Sequence, residues 1–152
     1  MVTRCSFCGA PVPPGETCRE RFDATEALEL EHPDTYGSVH HLSVAAYMLQ
    51  HNVYSREGWL FTRRLLYQFV YEGLTPQQAR RQNRRRLDSG QRALSVTWGP
   101  KLAGVEELTW TRTIADVRTD TAEHYCADVC ASAVAVLADT EQLVRESGDG
   151  TL

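Results

Sequence analysis

Apolar residues recur at helical spacing through most of the first half of the chain. Phe22, Ala24, Leu28 and Leu30 lie among good helix formers and predict a first helix from Thr17 to about Glu31. His32-Pro33-Asp34-Thr35 ends it, because proline cannot continue the hydrogen-bond ladder. Val39, Leu42, Ala46 and Leu49 predict a second helix over about Tyr36 to His51. A third, capped by Ser55 and stopped at Gly73, carries Trp59, Leu60, Leu65, Leu66, Phe69 and Val70 and belongs at the centre of the core. Thr75-Pro76-Gln77-Gln78 joins a cap, a first-turn proline and a capping-box glutamine, and opens a short arginine-rich fourth helix to about Leu87.

The pattern weakens over 88–118, where Gly90, Gly99, Pro100 and Gly104 punctuate the chain and Leu94 to Trp98 alternates like a short strand. It returns with Asp120 as a cap and Ala122, Cys126, Val129, Ala133, Val136 and Leu137 as one stripe to about Arg145. Residues 1–16, with two cysteines, two glycines and three prolines, read as a knuckle, and 147–152 as a frayed tail. The expected fold is all-α: a four- to five-helix, bundle-like single domain over 1–152, with an N-terminal zinc knuckle and one long irregular connection. Its parts are 1–16, 17–87, 88–118, 119–146 and 147–152.

Composition adds bounds. A chain of 152 residues can bury a real core without help from a metal, so a bound ion would brace it locally. No apolar run approaches the roughly 20 residues that span a bilayer, and the first residues lack a secretion signal's apolar core. That reading places the protein in the cytoplasm with no membrane partner, where thiols stay reduced and available to metals. A net charge of −4 gives no global case for nucleic acid. Five cysteines, an odd number, argue against a paired disulfide framework.

The chemistry starts at Cys5-x-x-Cys8-Gly9, the form in which two thiolates grip one ion while glycine permits the turn. A redox pair is the competing use of that spacing, but it belongs between a strand and a helix, and no such unit is present. Two further ligands follow from geometry. If the first two helices form an antiparallel hairpin closed at Pro33-Asp34, residues whose numbers sum to about 69 lie level, at about 1.5 Å of rise per residue. Cys18 then meets His51, Phe22 meets Tyr47, and Glu29 meets His40. Cys5, Cys8, Cys18 and His51 make a closed Cys₃His shell, the mark of a structural zinc site. Without an ion, the four ligand atoms should still converge within about 4 Å.

His40 lies about 16 Å along the axis from His51 and cannot share its ion. It reads either as a satisfied pair with Glu29, as a small-molecule or catalytic pocket built on Glu29, His40 and Tyr47 with His41 nearby, or as a second metal site. Trp98-Gly99-Pro100 would overhang that pocket as a lid. Cys126 and Cys130 fall on an apolar stripe and read as core. Arg80, Arg81, Arg84, Arg85, Arg86 and Arg92 read as a solvated face, with phosphate binding as the alternative.

The chain resembles a mainly bacterial family catalogued as domain of unknown function 5946. The resemblance rests on Cys5-x-x-Cys8-Gly9-Ala10, on Cys18, and on Tyr36-Gly37-x-Val39-His40-x-Leu42-x-Val44-x-Ala46-Tyr47-x-x-Gln50-His51. A weaker echo is Thr113-Ile114-Ala115-Asp116-Val117 followed by Glu123-His124. The chain departs from the family pattern at Ala45, where an acid is usual, and at Asn52, where proline is. The resemblance implies kinship and no reaction. The first functional reading is a small soluble zinc-binding protein of unresolved activity. The alternatives are a small enzyme or ligand-binding domain using Glu29, His40 and Tyr47, and an arginine-mediated nucleic-acid or protein adaptor. The partner is open between a small molecule and a protein, with nucleic acid less favoured.

Overall fold

The computed structural model describes residues 2–88 and 98–148, the side chains of 86–88 excepted. The architecture is helical, as the periodicity predicts, with one small sheet at the N-terminus. There β1 (Thr3–Arg4) pairs antiparallel with β2 (Pro11–Val12), Thr3 opposite Val12 and Arg4 opposite Pro11. This is the knuckle that the sequence predicts, with a strand pairing that goes unseen there because strands of two residues are too short for alternation to register.

Helix α1 (Cys18–Glu31) starts on a full capping box. The Thr17 hydroxyl accepts the Glu20 N–H at 3.1 Å, and the Glu20 carboxylate accepts the Thr17 N–H at 2.8 Å. The second predicted helix divides into a 3-10 turn over Tyr36–Val39 and α2 (His40–Gln50). The cause is a close approach. The Gly37 N–H donates to the His32 carbonyl at 2.9 Å, and a Cβ on Gly37 would lie 2.7 Å from the Glu29 carbonyl oxygen. Only glycine lets this turn sit directly on the end of α1.

Helix α3 (Arg56–Tyr71) is capped by the Ser55 hydroxyl, which accepts the Gly58 N–H at 3.2 Å. Helix α4 (Pro76–Asp88) starts on the predicted Thr75–Gln78 box. Helix α5 (Ala122–Glu146) is capped by Thr121, one residue after the predicted Asp120. Asp120 instead accepts from the Thr121 N–H and from His124 Nδ1, both at 3.0 Å.

The core lies where α2, α3 and α5 meet, with Leu49, Trp59, Leu66, Tyr125 and Val136 fully buried. The Trp59 indole N–H donates to the Leu49 carbonyl at 3.1 Å. Arg63 ties α3 to α5 by donating to the Thr140 hydroxyl and to the Leu137 carbonyl, both at 3.0 Å. Helix α4 buries Ala79 and leaves Arg80, Arg81, Arg84 and Arg85 exposed, the solvated face expected of it. The Arg86 side chain and Arg92 lie outside the described residues.

The connection from 98 to 118 is irregular but docked, with Leu102, Val105 and Trp110 buried. Pro100 does not overhang His40. Its carbonyl accepts the Arg56 N–H at 2.8 Å, at the start of α3 and toward the His51 end of α2, and Trp98 is exposed. The lid expectation therefore fails, because an unsatisfied N–H at a helix start claims the loop. The predicted strand at Leu94 to Trp98 falls on residues outside the description, Trp98 apart. No described helix is long and apolar enough to cross a membrane.

Candidate metal centre

Cys5 and Cys8 sit on the turn between β1 and β2. The Cys5 N–H donates to the Ala10 carbonyl and the Gly9 N–H to the Cys5 carbonyl, both at 2.9 Å. Gly9 closes the turn with a φ of 78°, a left-handed conformation that costs glycine little. The turn thus presents two sulfurs toward the open end of the α1–α2 hairpin.

That hairpin has the register predicted for it. Cys18 Sγ lies 3.4 Å from His51 Nε2, the Phe22 and Tyr47 rings stack at 3.9 Å, and His40 Nδ1 lies 2.6 Å from Glu29 Oε2. At the open end Cys5 Sγ is 3.6 Å from His51 Nε2, and Cys8 Sγ is 3.7 Å from Cys18 Sγ. All four ligand atoms lie within 4.8 Å of one another, and these three separations are all under 4 Å. These four residues could hold one metal ion.

The surroundings suit a ligand set. His51 Nδ1–H donates to the Tyr47 carbonyl at 2.7 Å, which fixes the ring and turns Nε2 toward the sulfurs. The Tyr47 ring stacks on His51 at 3.9 Å from the other side. Cys8, Cys18 and His51 are buried and Cys5 is half-buried. Without an ion, the Cys8 thiol is drawn down to about 4 by its hydrogen bond with Cys18, against the effect of burial. That same bond, then burial, pushes the Cys18 thiol up. A cation placed between these two sulfurs would favour their ionised forms.

Tyr47 serves this end of the hairpin rather than the Glu29 layer, since its ring lies between Phe22 and His51. Glu29 is buried and finds other company. The Ser43 and Tyr125 hydroxyls both donate to its Oε1, at 2.6 and 2.5 Å. Glu26 Oε1 approaches His40 Nδ1 at 3.6 Å. Burial, then the Glu29 charge, raises the Glu26 carboxyl to about 7. The sequence assigns no role in this layer to Ser43 or Tyr125, and places Glu26 on the Glu29 face without giving it one. Ser43 follows His40 by three residues on one helix face, and Glu26 precedes Glu29 likewise, so both were legible. Tyr125 was not, because α5 reaches Glu29 only through tertiary packing. His41 faces elsewhere, edge-on to Phe69 at 4.7 Å.

Cys126 and Cys130 do not form part of a buried stripe. Cys130 is exposed, and half-buried Cys126 lies 3.5 Å from the Thr35 carbonyl. The buried line on α5 keeps Val129, Ala133, Val136 and Leu137 of the expected stripe and adds Tyr125, Ser132 and Thr140. With Tyr125 docked onto Glu29, Cys126 packs at the edge of the core and Cys130 faces outward.

No curated protein and no solved structure matches the chain. A family profile does, over residues 3–141, which spans the knuckle, the hairpin and most of α5. On that match the chain belongs to the family of unknown function DUF5946.

Proposed function

We propose that Cys5, Cys8, Cys18 and His51 hold a structural zinc ion, and that the protein is a small zinc-binding domain whose metal staples the N-terminal knuckle to the α1–α2 hairpin. The observation that carries this reading is the spacing of the ligand atoms. Tetrahedral zinc with sulfur at about 2.3 Å and nitrogen at about 2.0–2.1 Å separates its sulfurs by about 3.8 Å and sulfur from nitrogen by about 3.6 Å. The sulfur pair Cys8–Cys18 at 3.7 Å and the sulfur–nitrogen pairs at 3.4 and 3.6 Å sit close to those values.

Two arguments favour structure over catalysis. Four protein ligands leave no position for water or substrate. Three thiolates also donate enough charge to blunt the ion as a Lewis acid. Soft thiolates with one imidazole select zinc over magnesium, calcium or manganese.

Elemental analysis of the purified protein tests the assignment. About one zinc per chain is expected in the wild type, with a fall to well under half in both Cys18→Ser and His51→Ala. Replacement by cobalt should give the sulfur-to-cobalt charge-transfer bands of a tetrahedral thiolate site. Unchanged zinc content in the two variants would overturn the ligand set.

A further inference from the structure

The α1 face that carries Cys18 at one end carries Glu26 and Glu29 near the other, where α2 begins at His40. One ligand atom from each of these three residues lies within 4.8 Å of the other two. His40 Nδ1 is 2.6 Å from Glu29 Oε2 and 3.6 Å from Glu26 Oε1. The layer is about 16 Å from the Cys₃His centre along α2, so the two do not share an ion.

A satisfied His–Glu pair accounts for Glu29, whose side chain is 2% exposed and accepts from His40, Ser43 and Tyr125. It does not account for Glu26. Glu26 Oε1 is buried and has no hydrogen-bond partner among the described residues. An acceptor left without a partner in that way is destabilising. The second carboxylate also stands beside the first, where like charges repel. A divalent cation between the two carboxylates would offset that repulsion. The His40 side chain is 57% exposed and, with Asp23, Leu30 and Gly37, borders an open depression of about 560 Å³. An ion has a route in.

We propose that Glu26, Glu29 and His40 form a second divalent-cation site, of a different class from the thiolate centre. Two carboxylates and one imidazole suit a first-row transition ion of the manganese(II) or iron(II) kind rather than a thiophilic one. The cation displaces the proton between His40 Nδ1 and Glu29 and gives Glu26 Oε1 the partner it lacks. Ser43 and Tyr125 hold Glu29 in place from behind, as outer-shell partners orient a ligating carboxylate. Three protein ligands leave positions for solvent, and those positions face the depression. Any reactivity of this protein belongs here rather than at the closed Cys₃His shell.

Titration of the zinc-loaded protein with manganese(II), followed by the loss of the free-ion electron paramagnetic resonance signal, tests this. One manganese per wild-type chain is expected, with affinity weakened at least tenfold in Glu26→Gln and in His40→Ala. Both substitutions fall at partly exposed positions. Glu29→Gln alone would not serve, because it disturbs an acceptor of three hydrogen bonds. Zinc content of the same samples should match the wild type, which separates this site from the thiolate one. A wild type that binds no manganese at millimolar concentration overturns the proposal, as does binding that survives both substitutions.

Discussion

Asp128 shows how one side chain holds an irregular segment to a helix. It accepts from the Arg118 backbone N–H at 2.9 Å and from the Arg118 guanidinium at 2.9 and 3.2 Å. These bonds pin the end of the 98–118 connection to α5, and those from Arg118 hold the Asp128 carboxyl down to about 2, below the ordinary 3.8. The folded value lies below the unfolded one, so the stabilisation is complete above 3.8 and disappears as pH falls through about 2. Asp128→Asn should cost about 1–2 kcal/mol at neutral pH. Chemical denaturation of the two proteins should converge as pH falls through that window, and a pH-independent difference would count against the charge as the cause. Gly9 offers a second test at this scale. Its φ of 78° suits glycine alone, and an added Cβ there would meet nothing within 4 Å. Gly9→Ala should therefore act through backbone strain of about 1 kcal/mol. A zinc competition assay should read that as a roughly fivefold weaker site with normal stoichiometry.

Among the elements, the contact between α1 and the 3-10 turn of Tyr36–Val39 sets the register of the hairpin. Gly37 is what allows it, since a Cβ would stand 2.7 Å from the Glu29 carbonyl oxygen. Gly37→Ala has to push the turn off α1, an overpacking cost of about 1–3 kcal/mol. It should also part His40 from Glu29 while sparing the far end of the hairpin. Thermal unfolding should show the loss of stability, and elemental analysis should show zinc retained. Loss of zinc in Gly37→Ala would mean that the two ends of the hairpin are mechanically coupled. The hairpin itself was legible in the chain, because a break at Pro33 and a constant rise per residue decide which residues stand level. The division of the second helix was not. Helical spacing says nothing of a 3-10 turn imposed by a neighbouring carbonyl.

At the scale of the molecule, the proposed thiolate centre joins the core through Cys8 and Cys18 without supplying its most deeply buried side chains. The fully buried side chains of Leu49, Trp59, Leu66, Tyr125 and Val136 lie on α2, α3 and α5, whereas three of the four metal-ligand positions belong to the knuckle and the first residue of α1. Removing the metal should therefore loosen the knuckle without melting the core. Hydrogen exchange after chelation should show faster exchange at residues 3–18 and near-unchanged protection at 59–66 and 125–137. Uniform loss of protection would mean that the ion supports the whole fold.

The local order of the chain was enough to determine its helices apart from the division of the second, the caps at Ser55 and Thr75, and the meeting of Cys18 with His51. Periodicity, capping chemistry and helix rise act within one segment or across one turn, and all are visible in sequence. The tertiary structure alone decided the place of Tyr125 on the buried face of α5, the docking of Pro100 at Arg56 instead of above His40, and the company of Glu29. Each of these depends on which unsatisfied donor or acceptor lies within reach of a distant segment. Tyr125 reaches Glu29 across 96 positions, a contact that only packing can arrange.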